Sequence, residues 1–344
     1  LHIIHVNLAK GFRGGERQTI LLIKALAVHA HVASQTLVCQ PDSPMRVELS
    51  EVPNLRIVTA KHQLMGHHAT GQASIVHAHE AKAVHWAWFH RVLYKTEYII
   101  TRRVDTPIKR KPSNLLFYKK AHFCVAISNV IANELSSLNS KPIPVIPSAF
   151  TPSSPNPEIA ATLRHQYPDR FIIGHIGALV DRHKGQRVLI EAAKLVEKEH
   201  PNLLFLFFGQ GEDETALQKE SYHLKNVKWM GFKSNIFDYI SAFDIFAFPS
   251  RNEGLGSILL DVMNAEVPII ASDVGGIPDI IKQKETGILI PPNNVNELKE
   301  AIITLYKDRS LMAKISSNAL LNLEKYASST MAESYLRLYQ NVRH

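Results

Sequence analysis

Cysteine is nearly absent, with two in 344 residues, Cys39 and Cys124. They lie 85 positions apart, each in an apolar, strand-like run, so the sequence predicts two free buried thiols and a reducing cytoplasm, not a disulfide framework. No stretch reaches the roughly 18 consecutive apolar residues of a membrane-spanning helix, and the opening LHIIHVNL is too short for one or for a secretory signal. The chain does not open on methionine, which leaves room for a short missing leader. No repeat with a period of about 20 to 50 residues occurs, which excludes a solenoid. A Gly-x-Gly-x-x-Gly run is missing after the first strand, which argues against a dehydrogenase. What is present is ordinary: 45% hydrophobic and 20% charged residues describe a soluble globular protein. At about 150 residues per domain, the length gives two domains.

Charge is unevenly spread. Residues 1–150 hold 18 Lys and Arg against 8 Asp and Glu, a net of +10, whereas residues 151–344 hold 21 against 23, a net of −2. A basic half attracts nucleic acid, anionic lipid or a phosphorylated acceptor, and charge alone does not choose among them.

Apolar runs of five to eight residues alternate with longer amphipathic stretches. This is the pattern of helices crossing over between parallel strands, and the class is α/β. Strands are expected near 2–8, 34–39, 55–59, 74–77, 97–101, 122–127 and 143–146, with helices near 15–29, 82–94, 113–120 and 129–138. Residues 147–171 concentrate Pro, Ser and Asn, as a linker with a helical lead-in does. A second series follows, with strands at 171–177, 203–208, 226–230, 244–248 and 267–272 and helices at 185–199, 257–265 and 277–283. The domains are therefore placed at 1–150 and 151–328, each Rossmann-like and facing the other across a cleft. A final helix over 329–344 spaces Met331, Tyr335, Leu338, Tyr339 and Val342 at helical intervals and needs a surface to cover.

Four segments carry candidate chemistry. GFRGGER, residues 11–17, has paired glycines where a strand turns into a helix, and Gly14 and Gly15 fit a phosphate loop and a simple tight turn equally well. His77-Ala78-His79-Glu80 follows a strand, and alternation puts both histidines on one side. The third and fourth ligands of a recognisable metal spacing are missing, so no metal is expected and His77 reads best as a satisfied buried histidine. In IGALVDRHKGQRVLIEAA, Arg182 and Lys184 stand at the start of a helix, a place for a diphosphate or for solvated cations. In FAFPSRNEGLGSILLDVMNAEVPIIASDVGGIPDII, a strand ends at Pro249-Ser250 and a loop carries Glu253. Gly254, Leu255, Gly256 and Ser257 then lead into a helix with Asp261 two turns on. Glycine-loop amides suit phosphate and carboxylates suit sugar hydroxyls, and a nucleotide sugar presents both.

That last segment resembles the donor-binding motif of glycosyltransferase family 4, the retaining enzymes of the type B glycosyltransferase fold. The resemblance extends to GFRGGER, HAHE, ISNVIANEL, VIPSAF, HKGQRVLIEA and KETGILIPP, some 280 residues in order. It implies catalytic contacts by His79 to the donor sugar, by Lys184 to the diphosphate leaving group and by Glu253 to sugar hydroxyls. It also implies Gly14 and Gly15 against the β-phosphate, Leu255 to Ser257 amides on phosphate, and Asp261 on the ribose. The family generally needs no metal, so the nucleotide sugar is a co-substrate and no cofactor is expected. It further implies that the C-terminal helix crosses back onto the first, acceptor-side domain. Ala178 stands where many members carry a diphosphate arginine, so Arg182, Arg102 or Arg103 would supply that charge. Asp261 replaces the usual second Glu, and Glu266 a common Gly.

The basic half is assigned the acceptor, through Arg102, Arg103 and Lys109, with Arg110, Lys111, Lys119 and Lys120 near a cleft or membrane surface. HWAWFHRVLYK, residues 85–95, mixes aromatic and basic residues as interfacial segments do, although a packed helix fits it better. The expected acceptor is a lipopolysaccharide core or lipid-linked glycan, reached by a cytoplasmic protein at the inner face of the inner membrane. The rivals are a nucleotide-sugar epimerase or phosphorylase of related fold, and a basic RNA- or lipid-binding protein on the same scaffold. No RNA-binding signature is present, so nucleic acid is not an expected partner.

Overall fold

The computed structural model describes residues 1–12, 14–151 and 154–342. The chain divides into two units, Leu1–Ala149 with Tyr326–His344, and Phe150–Lys325.

The first unit contains β1 (His2–Asn7), β2 (Ser34–Cys39), β3 (Leu55–Thr59), β4 (Ile75–Ala78), β5 (Tyr98–Arg102) and β6 (Phe123–Ala126). They form one parallel sheet in the order β3-β2-β1-β4-β5-β6. Parallel strands need crossovers that cover both faces, which is why β1, β4 and β5 are buried along almost their whole length, including the polar His5, His77 and Thr101 among their apolar residues. The strand expected at 143–146 is reduced to a single bridge between Ala126 and Val145. Pro142, Pro144 and Pro147 surround it, and residues without an N–H cannot sustain a ladder.

The helix Ser328–Asn341 belongs to this first unit. Met331, Ala332, Tyr335, Leu336 and Tyr339 join a core made with Ile3 of β1, Ile75 of β4, Ile99 of β5 and Leu21, Leu22 and Leu26 of the helix Gly14–Ala27. Residues 343 and 344, included in the expected helix, lie outside the described residues, as does Arg13 of the glycine loop. Cys39 and Cys124 are free and buried, and burial pushes their thiols up to about 11 and about 12.

The second unit holds β7 (Phe171–Ile176), β8 (Leu203–Phe208), β9 (Val227–Gly231), β10 (Ile245–Phe248), β11 (Ile269–Ser272) and β12 (Ile288–Ile290), in the order β12-β11-β10-β7-β8-β9. Counted from the first strand of each unit, the two orders are the same. Sequence reading lacked β12 and the helices Glu214–Ser221, Val295–Lys307 and Arg309–Leu321. The expected helix 185–199 is Gln186–Val196, set apart from the turn Asp181–Lys184 by Gly185 at φ +65°. In each sheet the connections reverse direction at one place, between β1 and β4 and between β7 and β10. Ligands of doubly wound sheets bind beyond the strand carboxyl ends at that place.

The contribution of the C-terminal helix is measurable. Tyr339 is 1% exposed and its hydroxyl lies 2.7 Å from His77 Nδ1. Tyr339→Phe is expected to lower stability by about 1 kcal/mol and Tyr339→Ala by about 3–5 kcal/mol, both read from urea unfolding.

Candidate active site

At the reversal point of the second unit, the chain leaves β7 through Gly177 and the turn Asp181–Lys184, and leaves β10 through the loop Pro249–Glu253. These two exits bring Lys184 and Glu253 together: Lys184 Nζ lies 2.5 Å from Glu253 Oε2. The ammonium also sits 5.1 Å from the centre of the Phe248 ring. Below them His175 is fully buried, and burial pushes its imidazolium down to about 4. Its Nδ1 lies 3.0 Å from the Ala247 carbonyl and so carries the proton of the neutral ring.

Backbone proximity fixes the loop. A Cβ on Gly185 would stand 2.1 Å from the Pro249 carbonyl oxygen, and one on Gly275 would stand 1.9 Å from that of Glu253. Both glycines have positive φ, and the Gly276 N–H donates to Glu253 O at 3.0 Å. The Gly-Gly-Ile-Pro turn thus acts as a rest for the Glu253 backbone. Gly254, Leu255 and Gly256 are buried, Gly256 at φ +82°, and Ser257 precedes the helix Ile258–Asn264. Asp261 is in the first turn of that helix and accepts the Thr151 N–H at 2.8 Å. Arg182 points elsewhere, pairing with Glu212 at 3.0 Å with its side chain 69% exposed.

Sequence reading missed Asp181 and Arg251. The Asp181 carboxylate takes Arg251 at 2.7 Å, Arg187 at 3.0 Å and the Arg187 backbone N–H at 2.8 Å, and Arg251 also reaches the Asp181 carbonyl and Asn293. The N–H groups of Arg251 and Asn252 donate to the His183 carbonyl at 2.8 and 3.2 Å. Arg251 therefore ties together the exits of β7, β10 and β12. Burial by itself would raise the Asp181 carboxyl, but the bonds from Arg187 and Arg251 outweigh it and hold the group below its ordinary value. Opposite charges within three positions of Lys184 and Glu253 were the only cue in the sequence.

In the first unit, Glu80 caps the helix Ala81–Tyr94, accepting from Lys82 and Ala83 at 2.6 and 2.7 Å, and also accepts the Leu8 N–H at 3.1 Å. The His77-Ala78-His79-Glu80 segment therefore divides its labour, with the carboxylate spent on the helix start. His77 is buried between the Tyr339 and Thr101 hydroxyls, each 2.7 Å from a ring nitrogen. His79, 2% exposed, follows β4 and contacts His5 and Arg103. Gly14 and Gly15 begin the helix Gly14–Ala27, and a Cβ on Gly15 would meet Arg103 Cδ at 3.8 Å. Arg103 thus lies beneath the glycine loop. Arg102 instead turns to the Thr106 carbonyl, and Lys109 is exposed.

The same strand order in both units, with helices on both faces, is the type B glycosyltransferase fold of two Rossmann-like units. Anabaena HepE, solved in complex with UDP and glucose, shares that fold over 99% of both chains, with a TM-score of 0.82 at 18% identity. Residues 164–321, which lie within the second unit, match the family described as Glycosyl transferases group 1. The chain is 28% identical over 176 residues to the capsular polysaccharide biosynthesis glycosyltransferase CapM of Staphylococcus aureus, covering 50% of this chain and 46% of CapM. It is 25% identical over 232 residues to the lipopolysaccharide core biosynthesis glycosyltransferase LpsD of Rhizobium meliloti, covering 66% of each. The chain spans about half the length of CapM.

Two predictions follow from the loop's supports. Gly275→Ala is expected to cost about 2 kcal/mol more than Gly231→Ala in urea unfolding, because both sites have positive φ but only Gly231 faces open space. Asp181 has a depressed carboxyl, so its contribution is complete above the unfolded value of about 4 and is lost as pH falls through the folded one. Asp181→Asn should therefore lower stability by about 1–3 kcal/mol at pH 7, and the gap to wild type should shrink steadily below about pH 4.

Proposed function

We propose that the protein is a retaining glycosyltransferase that moves a sugar from a nucleotide-diphosphate sugar, with a UDP-sugar as the first candidate, to a glycan or lipid-linked acceptor of a bacterial surface polysaccharide. The observation that supports it most is the Lys184–Glu253 pair, set at the strand reversal of the unit that holds the group 1 glycosyltransferase match. A cation there meets the charge of a diphosphate, and a carboxylate held by glycine turns accepts bonds from sugar hydroxyls. Donor binding breaks the Lys184–Glu253 contact and gives each group its own part of the substrate. The amides from Leu255 to Ser257 are assigned to phosphate and Asp261 to the ribose. The acceptor hydroxyl attacks the anomeric carbon on the face from which the diphosphate leaves, and Lys184 stabilises the negative charge that develops, without need of a metal. UDP as the leaving nucleotide is suggested by the UDP found in HepE, and the acceptor class by the name of LpsD.

The first unit is assigned the acceptor through Arg102, Arg103 and Lys109, while Gly14 and Gly15 are assigned to the β-phosphate and His79 to the donor sugar. Lys109, Arg110, Lys111, Lys119 and Lys120 are exposed beside Leu116, itself 41% exposed, a surface suited to anionic lipid. No helix among the described residues is long and apolar enough to cross a membrane.

A thermal-shift panel of nucleotides and nucleotide sugars tests the donor, since a ligand at about 100 times its Kd stabilises the folded state by about 2.7 kcal/mol. UDP or a UDP-sugar is expected to give the largest shift, and NAD exceeding every UDP, GDP and ADP sugar would overturn the assignment. Lys184→Ala is expected to lower kcat by roughly 100- to 1000-fold with a much smaller change in donor KM. Equal losses in both would mean that Lys184 only binds.

A further inference from the structure

A buried chain of polar groups crosses the sheet of the first unit and ends at His79. It begins at Gln35 on β2, whose Nε2 donates to the Ile23 carbonyl at 3.0 Å. A carbonyl can only accept, so this contact fixes which way the amide faces. Gln35 Oε1 then lies 3.0 Å from His5 Nε2, and that nitrogen must carry a proton. His5 is fully buried, and burial pushes its imidazolium down to about 3, so the ring is neutral and holds a single proton. His5 Nδ1 is therefore a bare lone pair. His79 Nε2 stands 3.0 Å from it and must be the donor of that bond.

His79 is also neutral, because burial holds its imidazolium well below the ordinary value, with His77 and Arg103 adding to the effect. With its proton on Nε2, its Nδ1 is left as a lone pair. The group facing that lone pair is Arg103 Nη1 at 3.5 Å, which has only protons to give. Every donor in the chain thus points the same way, from Arg103 through His79, His5 and Gln35 to Ile23.

We propose that Gln35 and His5 are positioning residues that set His79 in its Nε2–H tautomer, so that it presents a lone pair and never a proton to Arg103 beneath the glycine loop. His79 then acts as a hydrogen-bond acceptor at the strand ends and is unable to protonate a leaving group. Holding an imidazole in one tautomer and orientation can be a large part of what a site achieves. The three rings His5, His77 and His79 also have ligand atoms all within 4.8 Å of one another, a spacing from which a divalent cation could gather them. Such a cation would need the lone pairs that the chain spends on hydrogen bonds, since His5 and His77 each have a protein partner at both nitrogens.

The consequence for sugar transfer rests on the function proposed above, but the tautomer does not. Long-range proton–nitrogen NMR of the full-length, uniformly labelled protein at pH 7 reads each ring directly. The expected result is a protonated Nε2 and an unprotonated Nδ1 for both His5 and His79. A protonated Nδ1 on either ring, an imidazolium, or loss of the Nε2–H signals on adding zinc at one equivalent overturns the proposal. Gln35→Met and, as a second variant, His5→Phe remove a link each. Either is expected to give His79 a mixed tautomer and to lower kcat roughly 10- to 100-fold at unchanged donor KM. A His79 tautomer unmoved in a folded variant would also overturn it. Wild-type protein with the expected tautomers but no turnover of any nucleotide sugar would sink the transferase reading and leave this inference standing.

Discussion

The loop that carries Glu253 is held by close backbone approach and by the bond of Arg251 to a buried carboxylate, and the chemistry assigned to the second unit depends on that. Gly185 and Gly275 press on carbonyls at its two ends, where any other residue would push the chain away. The Asp181–Arg251 pair closes the third side. A carboxylate with a side chain only 7% exposed is costly to leave unpaired, so its two guanidinium partners are effectively obliged to stay. Lys184 and Glu253 are consequently brought to 2.5 Å by restraints on the backbone around them, which their side chains do not supply. A site of this kind is preorganised: the expense of ordering it is met when the protein folds and not when substrate arrives.

The first unit solves a different problem. Its sheet buries His5, His77 and His79 side by side, and three imidazolium ions there would repel one another and Arg103. Neutral rings linked by directed hydrogen bonds avoid that repulsion while still satisfying buried polar atoms. The C-terminal helix takes part, because Tyr335 and Tyr339 bring hydroxyls to the same cluster through Thr101 and His77. A group that looks like packing from its periodicity is thus also a supplier of polar partners.

How much of this was legible follows from what each feature requires. The strands were readable because a parallel sheet covered on both faces demands short continuous apolar runs. The strand β12 was not, since three residues are too few for a pattern, and the run at 143–146 misled because its apolar content outweighed the prolines around it. Lys184 and Glu253 could be singled out from glycines and charges placed just after strands. Asp181 and Arg251 could not, because a charged residue in a loop looks solvated until the loop that faces it is known. The Gln35–His5–His79 chain needs the pairing of β2 with β1 and of β1 with β4, and sequence spacing carries neither. The expected roles of Arg102, Arg103 and Lys109 rested on charge, and charge did not reveal that the three guanidinium and ammonium groups have separate surroundings.

The helix Ser328–Asn341 completes a core whose other members are all made before residue 150. On a ribosome the first unit therefore waits, its sheet uncovered by that helix, while the whole second unit is synthesised and free to fold. Apolar positions on Ile3, Leu22 and Ile75 stay open to water or to a chaperone throughout that interval. The segment that ends it is translated only after the second unit, so a stop ahead of residue 328 would harm the half of the protein made first.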